Sequence, residues 1–250
     1  MKNYLTFGNI QSSLYGVFIS GSGRSNYPAR RYEAVQIPGR NGDLLLPEKR
    51  YENITVTYPA FFMPGTGFGD NPHAQFQSFM QQILAENRIG YKKLTDTYDV
   101  DTYRMAYFSG GTKLNMSRDL KSASFNLEFS CKPQRFLVSG DTAITYTSSS
   151  QSLSNQTYNP SKPLICVSGN GTLTISNSLF SYTVTLTIID NANSQIYIDC
   201  ETCDCYRQSL NLNGNVSCSN ADFPMLYPSN NTIVFEGLTE VQITPRWFTV

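Results

Sequence analysis

Four cysteines in the last third of the chain have a spacing that could bind a metal ion. Their pattern is C-x2-C-x-C-x12-C, formed by Cys200, Cys203, Cys205 and Cys218. Four thiolates can hold zinc in a tetrahedral site. However, the first three lie in the stretch YIDCETCDC, which has the pattern of a strand end and no glycine between the thiols. We therefore favour free or packed thiols over a structural zinc site, and a cytosolic origin disfavours disulfides.

A glycine-rich stretch, GTGFGD at 65–70, lies just before a predicted helix, where a phosphate-binding loop would lie. A dinucleotide fingerprint needs a third glycine at position 70. Asp70 stands there instead and places a carboxylate where a phosphate would bind. The similar stretch GSGRSN at 21–26 ends in Asn26, so it fails for the same reason. We interpret both stretches as loops.

Residues suited to acid–base or metal chemistry are sparse. His73 is the only histidine, which argues against histidine-dependent triads and multi-histidine metal sites. Asp96, Asp99 and Asp101 could hold a hard cation such as calcium, but they lack the dense ligand spacing of an EF-hand. Aspartates that bracket a strand start are common in turns. The sequence therefore predicts no catalytic residue, no cofactor and a protein that is not an enzyme.

The composition favours a protein that associates with copies of itself or with other proteins. Of the 250 residues, 40% are hydrophobic and only 15% are charged. Lysine plus arginine equals aspartate plus glutamate, 19 each, so the net charge is zero and no basic face for nucleic acid is indicated. Neither a signal peptide nor a membrane span of about 18 apolar residues is visible. We expect a protein made in the cytoplasm that does not insert into membranes.

Most of the chain alternates apolar and polar residues with the period of β-strands. The clearest examples are NITVTY at 53–58, SFNLEFSC at 124–131 and SYTVTLTII at 181–189. One stretch, 72–88, has the helical period instead, with Asn71 suited to the N-cap. Its apolar stripe is Phe76, Phe79, Met80, Ile83 and Leu84. The patterns predict a mainly β fold with a single amphipathic helix lying on a sheet.

A change in composition predicts a domain boundary. The stretch at 143–163 is rich in serine, threonine, asparagine and glutamine and has no strong apolar face, so we predict a linker at 136–162. After this segment the sequence contains only short strand patterns, as in a β-sandwich. We therefore expect an N-terminal β domain at 1–135 that carries the helix, and a C-terminal β-sandwich at 136–250.

Several stretches, taken in order, together resemble the distal tail proteins of long-tailed bacteriophages. In the N-terminal domain they are FGNIQSSLYGVFISG, VQIPGRNGDLLLPEKRYENITVTY, the amphipathic helix, KKLTDTYDVDTYRMAYF and FNLEFSCKPQRFLVSG. In the C-terminal domain they are YNPSKPLICVSGNGTLTISN, IYIDCETCDCYR, DFPMLYPSNNTIVFEG and VQITPRWFTV. One departure is Pro228-Ser229, where the family usually has Pro-Gly; Ser229 can still make a type I turn.

The resemblance implies a structural protein of the virion. Distal tail proteins form a ring, usually hexameric, that joins the tail tube to the baseplate or tail-tip hub, and DNA later passes through its channel. The N-terminal domain would be a β-sandwich or barrel-like domain of tail-tube type, and the C-terminal domain a galectin-like β-sandwich. The implied partners are other copies of this chain, the tail tube protein, the hub or tail-associated protein, and a receptor-binding protein or host glycan.

The stretch PGRNGD, at 38–43, raises the question of a subunit contact. We interpret it as a hairpin turn, in which Pro38 and Gly39 break the strand and Asn41-Gly42 supplies positive φ angles. In the family, this part of the chain helps to embrace the neighbouring subunit. A ring needs two complementary surfaces on each subunit, and exposed strands offer one. We hypothesise that the turn contributes to this contact through Pro38, Gly39, Arg40, Asn41 and Gly42.

Four tyrosines of the C-terminal domain leave a second function open. Tyr182, Tyr197, Tyr206 and Tyr227 could stack on sugar rings, which would make the protein a carbohydrate-binding module that recognises host cell-surface sugar. Tyrosines also serve as core or subunit-interface aromatics, and we favour that interpretation.

Overall fold

The computed structural model describes residues 2–21, 27–62, 71–118, 122–187, 195–219 and 222–250. Contacts within the chain divide it into two units, 1–135 and 136–249. Strands dominate both units, which confirms the mainly β prediction. No helix among the described residues is long and apolar enough to cross a membrane. The stretch GTGFGD and all but the first residue of GSGRSN lie outside the described residues.

The first unit is built around one large sheet. The strands of this unit are β1 (Leu5–Phe7), β2 (Ile10–Gln11), β3 (Val17–Ile19), β4 (Arg30–Val35), β5 (Leu44–Tyr51), β6 (Ile54–Phe62), β7 (Lys92–Asp96), β8 (Asp99–Phe108), β9 (Asn115–Met116) and β10 (Ala123–Leu137). The strand order is β2-β1-β7-β8-β10-β6-β3, with β9 paired to the start of β10. Strands β4 and β5 form a separate two-stranded sheet.

The core of this unit follows the alternation read from the sequence. Strands β6 and β10 pair antiparallel, with Val56 opposite Phe129 and Tyr58 opposite Leu127. The Phe129 ring lies 5.1 Å from the ring of Phe7, between centroids, and all of these side chains are buried. Burial of one such large side chain stabilises the fold by about 1.5–3 kcal/mol.

The α-helix α1 spans Pro72–Glu86 and ends two residues earlier than predicted. Asn71 is its N-cap, because its Oδ1 accepts hydrogen bonds from the N–H groups of His73 and Ala74, at 3.1 and 3.3 Å. The buried arc is centred between Phe79 and Ile83. Leu84, predicted on the apolar stripe, is 54% exposed because it lies about 100° further round the helix than Ile83.

The second unit also consists of paired strands. They are β11 (Ile144–Tyr146), β12 (Gln151–Asn155), β13 (Leu164–Ser176), β14 (Ser181–Leu186), β15 (Gln195–Asp199), β16 (Asp204–Arg207), β17 (Leu210–Asn211), β18 (Val216–Cys218), β19 (Ser229–Thr244) and β20 (Phe248–Thr249). The order is β11-β19-β13-β15-β16-β17; β12 pairs with β19, and β14 lies between β13 and β18.

The linker prediction for 136–162 is corrected by this topology. The segment contains β11 and β12, and both pair with β19. Tyr146 and Leu153 anchor it in the hydrophobic core of the second unit. The polar residues around these two anchors hid them in the sequence, since two isolated apolar residues form no periodic pattern.

The turn at Ser229 also differs from its prediction. Ser229 has a φ of 80°, whereas both central residues of a type I turn have negative φ. The buried side chain of Asn231 holds this turn, because its Nδ2 donates to the carbonyl of Tyr227 at 2.8 Å and its Oδ1 accepts from the N–H of Tyr227 at 3.1 Å. The backbone therefore adopts a conformation that favours the glycine found in the resembled family.

Candidate functional site

The predicted hairpin turn at PGRNGD is confirmed, because it joins the antiparallel strands β4 and β5. The N–H of Arg40 donates to the carbonyl of Ile37 at 3.2 Å. Gly39 has a φ of 79° and Gly42 a φ of 83°, whereas Asn41 is not among the described residues with positive φ. The prediction of a positive φ was thus right for Gly42 and wrong for Asn41, and Gly39 supplies the second positive φ of the turn. The residues predicted for the interface lie at this exposed tip: Pro38, Gly39, Arg40, Asn41 and Gly42.

Both faces of this hairpin, defined as residues 30–51, carry exposed apolar side chains. Tyr32 lies opposite Pro47 and Ala34 opposite Leu45, which places these residues on one face, and the intervening residues lie on the other. The exposed apolar residues are Tyr32, Val35, Ile37, Leu45 and Leu46. Among the described residues, β4 and β5 pair only with each other. An isolated hairpin is marginally stable in water, so a surface that covers these side chains would stabilise it.

A group of exposed charged side chains lies near the base of the hairpin. The Glu48 carboxylate accepts from Nε of Arg50 at 2.8 Å and forms an ion pair with Nε of Arg31 at 2.9 Å. The hydrogen bond from Arg50 and the charge of Arg31 lower the pKa of Glu48. The Arg30 guanidinium lies 5.4 Å above the ring centroid of Tyr51. Of these contacts, Arg31–Glu48 and Arg30–Tyr51 join β4 to β5, and because the charged side chains are exposed they contribute little to the stability of the hairpin.

The four cysteines do not share one environment. Cys200 and Cys205 belong to the hydrophobic core of the second unit, Cys218 is half-buried, and Cys203 is exposed with a φ of 57°. Burial raises the pKa of Cys205 to about 11 and also raises that of Cys200, so both are neutral thiols at pH 7. In the part of the chain that the structure describes, no three His, Cys, Asp or Glu side chains are arranged to hold a metal ion.

The other polar candidates have ordinary structural surroundings. His73 is exposed in the first turn of α1. Asp96 closes the turn between β7 and β8, since its Oδ1 accepts from the N–H groups of Tyr98 and Asp99 at 2.9 and 3.1 Å. The turn interpretation of Asp96 is confirmed, while Asp101 is exposed on β8. Oδ2 of Asp96 accepts from the buried hydroxyl of Tyr58 at 2.9 Å, so both oxygens of this carboxylate have partners within the fold.

The four tyrosines form two separate pairs. The hydroxyls of Tyr182 and Tyr227 are 3.0 Å apart, and Phe180, which the sequence analysis missed, stacks on Tyr227 with 4.1 Å between ring centroids. Tyr197 and Tyr206 lie opposite each other on β15 and β16, with centroids 5.6 Å apart and an interplanar angle of 16°. The first pair satisfies its own hydroxyl groups, and Tyr182 is buried.

A polar cleft of about 690 Å³ lies beside Tyr197. Residues of β13, β15 and β19, together with the end of β16 and the turn after it, line the cleft. Of these lining residues, only Tyr197 was identifiable from the sequence. The others come from positions as far apart as 168 and 240, which strand pairing brings together, so no local motif could reveal them.

Comparison with known proteins finds solved structures with a similar fold. Neither a protein-family model nor a curated protein matches the sequence. The solved structure of the Dit protein (gp 19.1) of phage SPP1, described as a paradigm of the hub adsorption apparatus in phages that infect Gram-positive hosts, is similar over 100% of both chains with 11% identity and a TM-score of 0.73. A chain of the activated baseplate of phage p2 is similar over 97% of both chains, with 8% identity and a TM-score of 0.51. The predicted resemblance in fold is confirmed: this chain has the fold of the SPP1 Dit protein.

Proposed function

We propose that this protein is a structural component of a bacteriophage tail, in which copies of the chain form a hexameric ring at the distal end. The similarity in fold to SPP1 Dit over the whole chain supports this role. The similarity to a chain of the p2 baseplate supports a location in the same part of a virion. The function is one of geometry, and we assign no enzymatic activity to the chain.

The observation that carries the proposal is the apolar hairpin at 30–51. Leu45 is 57% exposed on one face and Leu46 44% exposed on the other, so neither face is covered within the described part of the chain. A hairpin that reaches a neighbouring subunit buries both faces, and the repetition of this contact closes a ring if the rotation is right. The zero net charge of the chain also favours association.

The ring would connect several partners in the virion. We propose that it binds the tail tube protein on one side and the hub or tail-associated protein on the other, with DNA passing through its channel. The second unit would then be the attachment site for a receptor-binding protein or contact a host glycan. The chain would be made in the host cytoplasm and incorporated into the tail tip.

The test is the mass of the purified full chain by light scattering, together with negative-stain imaging. We expect a multiple of six subunits and rings with a central hole for the natural sequence. Leu45→Asp should yield smaller species, because it places a charge in the buried contact. A monomer at high concentration, both alone and with purified tail tube protein, would contradict the proposal.

Leu84→Asp is the matched control. Leu84 is 54% exposed, close to the 57% of Leu45, and belongs to the same unit but lies on α1. It receives the same substitution, so any general effect of a new charge on solubility applies equally. Rings in Leu84→Asp but not in Leu45→Asp would assign the contact to the hairpin. Intact rings in Leu45→Asp and in Leu46→Asp would show that the hairpin has no such role.

A further inference from the structure

The cleft beside Tyr197 is built on the outer face of the second unit's sheet. Ile165 and Val167 on β13 point into the core, so Ser168 lies on the opposite face. Ser168 is opposite Gln195 on β15 and opposite Glu240 on β19. Three strands therefore place these three polar side chains in one row across the sheet, and all three line the cleft.

The aromatic wall of the cleft is held in place by its neighbours. Tyr197 stacks against Tyr206 across the β15–β16 pair, and Cys166 lies opposite it on β13. The ring orientation is thus fixed before a ligand arrives, which lowers the entropic cost of binding.

The turn after β16 completes the cleft. Arg207 and Gln208 line it there, and Gln208 has a φ of 54°, a conformation that non-glycine residues rarely adopt. Strained backbone of this kind persists where the surrounding structure holds it, and it is concentrated at binding sites. Thr239, next to Glu240 on β19, also lines the cleft and adds a hydroxyl group.

The chemistry of the lining restricts the ligand. One cation, Arg207, and one anion, Glu240, cancel in charge, which disfavours phosphate or another strongly charged group. Four neutral side chains of the lining can each donate and accept hydrogen bonds: Ser168, Gln195, Gln208 and Thr239. A single aromatic ring offers an apolar face. A sugar matches this lining, because its ring carries many hydroxyl groups around its edge and presents an apolar face.

We propose that this cleft binds a short neutral oligosaccharide, with Tyr197 stacking against a sugar ring and the polar side chains binding its hydroxyls. The volume of about 690 Å³ lies within the range of about 300–1,000 Å³ that is usual for small-molecule sites. This binding rests on the glycan contact proposed above for the second unit and does not depend on the ring. The cleft belongs to the second unit and the hairpin to the first, so their tests use different variants and different measurements.

The experiment begins with the full chain on an array that carries neutral, sialylated, sulfated and phosphodiester-linked glycans. The tightest neutral oligosaccharide is then titrated calorimetrically into the natural protein and its variants. We expect Tyr197→Ala and Gln195→Ala each to weaken binding by about tenfold or more. Tyr158→Ala is the matched control, because Tyr158 is a 96% exposed tyrosine of the same unit outside the cleft, and it should leave the affinity unchanged.

Three outcomes would overturn the proposal: no binding to any neutral glycan, binding to charged glycans only, or unchanged affinity in the cleft variants. Thermal unfolding verifies that each variant is folded. If Tyr197→Ala fails to fold, Gln195→Ala and Gln208→Ala decide the question, because both side chains are exposed. The ring, observed separately by imaging, remains intact in these variants if the two functions are independent.

Discussion

The ion pair between Asp199 and Arg246 should govern part of the acid sensitivity of the second unit. Nη1 and Nη2 of Arg246 donate to Oδ1 and Oδ2 of Asp199 at 2.7 and 3.0 Å, a bidentate arrangement. Oδ1 of Asp199 also accepts from the N–H of Glu201 at 2.9 Å. The side chain of Asp199 is 14% exposed and that of Arg246 is 27% exposed. The pair is thus mostly, though not fully, removed from water.

Arg246→Met removes both charged hydrogen bonds and keeps most of the side-chain volume. Hydrogen bonds to charged groups contribute about 1.5–3 kcal/mol each, and breaking a fully buried pair costs about 3–5 kcal/mol. Residual solvent exposure screens the interaction, and the carboxylate keeps its bond from Glu201. We therefore expect the free energy of unfolding at pH 7 to fall by about 2 kcal/mol, measured by urea denaturation.

The same pair predicts a pH dependence. Burial alone raises the pKa of Asp199, but the hydrogen bonds from Arg246 and from the N–H of Glu201 outweigh it and hold that pKa below its ordinary value. The stabilisation is therefore fully present above the unfolded pKa of about 3.9 and is lost as the pH falls through the lower pKa of the folded state. When the pH falls from about 6 to about 3, the free energy of unfolding should therefore decrease less in the Arg246→Met variant than in the natural protein.

A double-mutant cycle with Asp199→Asn isolates the pair. We expect a coupling energy of about 1–2 kcal/mol between positions 199 and 246. The exposed pair of Glu48 and Arg50 is the control and should show much weaker coupling. Coupling at 199 and 246 below about 0.5 kcal/mol, or an acid response unchanged by Arg246→Met, would refute the reasoning.

Two backbone positions give further predictions. Ser229→Gly should raise the free energy of unfolding by about 0.5–1 kcal/mol, because it relieves the φ of 80°; a lower urea midpoint would contradict this. Gly171→Ala should lower it by about 3 kcal/mol, because a Cβ there would lie 1.9 Å from the carbonyl oxygen of Glu236 on the paired strand β19. Gly214→Ala, with no atom within 4 Å of its Cβ, is the control in the same unit, and equal effects of the two alanines would refute the steric argument.

The sequence predicted those features that depend on neighbours along the chain. Alternation in β6 and β10 identified the buried side of each strand, as at Val56 and Phe129, because the side-chain period of a strand is two. Asn71 was identifiable as an N-cap because its side chain bonds to backbone groups only two and three residues away. The hairpin turn was likewise visible from its proline, its two glycines and its polar residues.

Features that depend on which strands pair could be seen only in the tertiary structure. The cleft beside Tyr197 joins Ser168 to Glu240, because β13 and β19 are neighbours although they are far apart in sequence. The hairpin faces are exposed because β4 and β5 pair with no other described strand, which their apolar residues alone would not suggest.

Taken alone, the sequence determined the fold class, the helix N-cap and the position of the hairpin turn, since alternation, capping and turn chemistry act over a few residues. The tertiary structure decided which apolar residues became core and which stayed exposed, as the contrast between Ile83 and Leu84 shows. It also decided which polar residues met to form a site. Both outcomes depend on contacts between distant segments, and burial is a property of the packed whole, so no local pattern contains them.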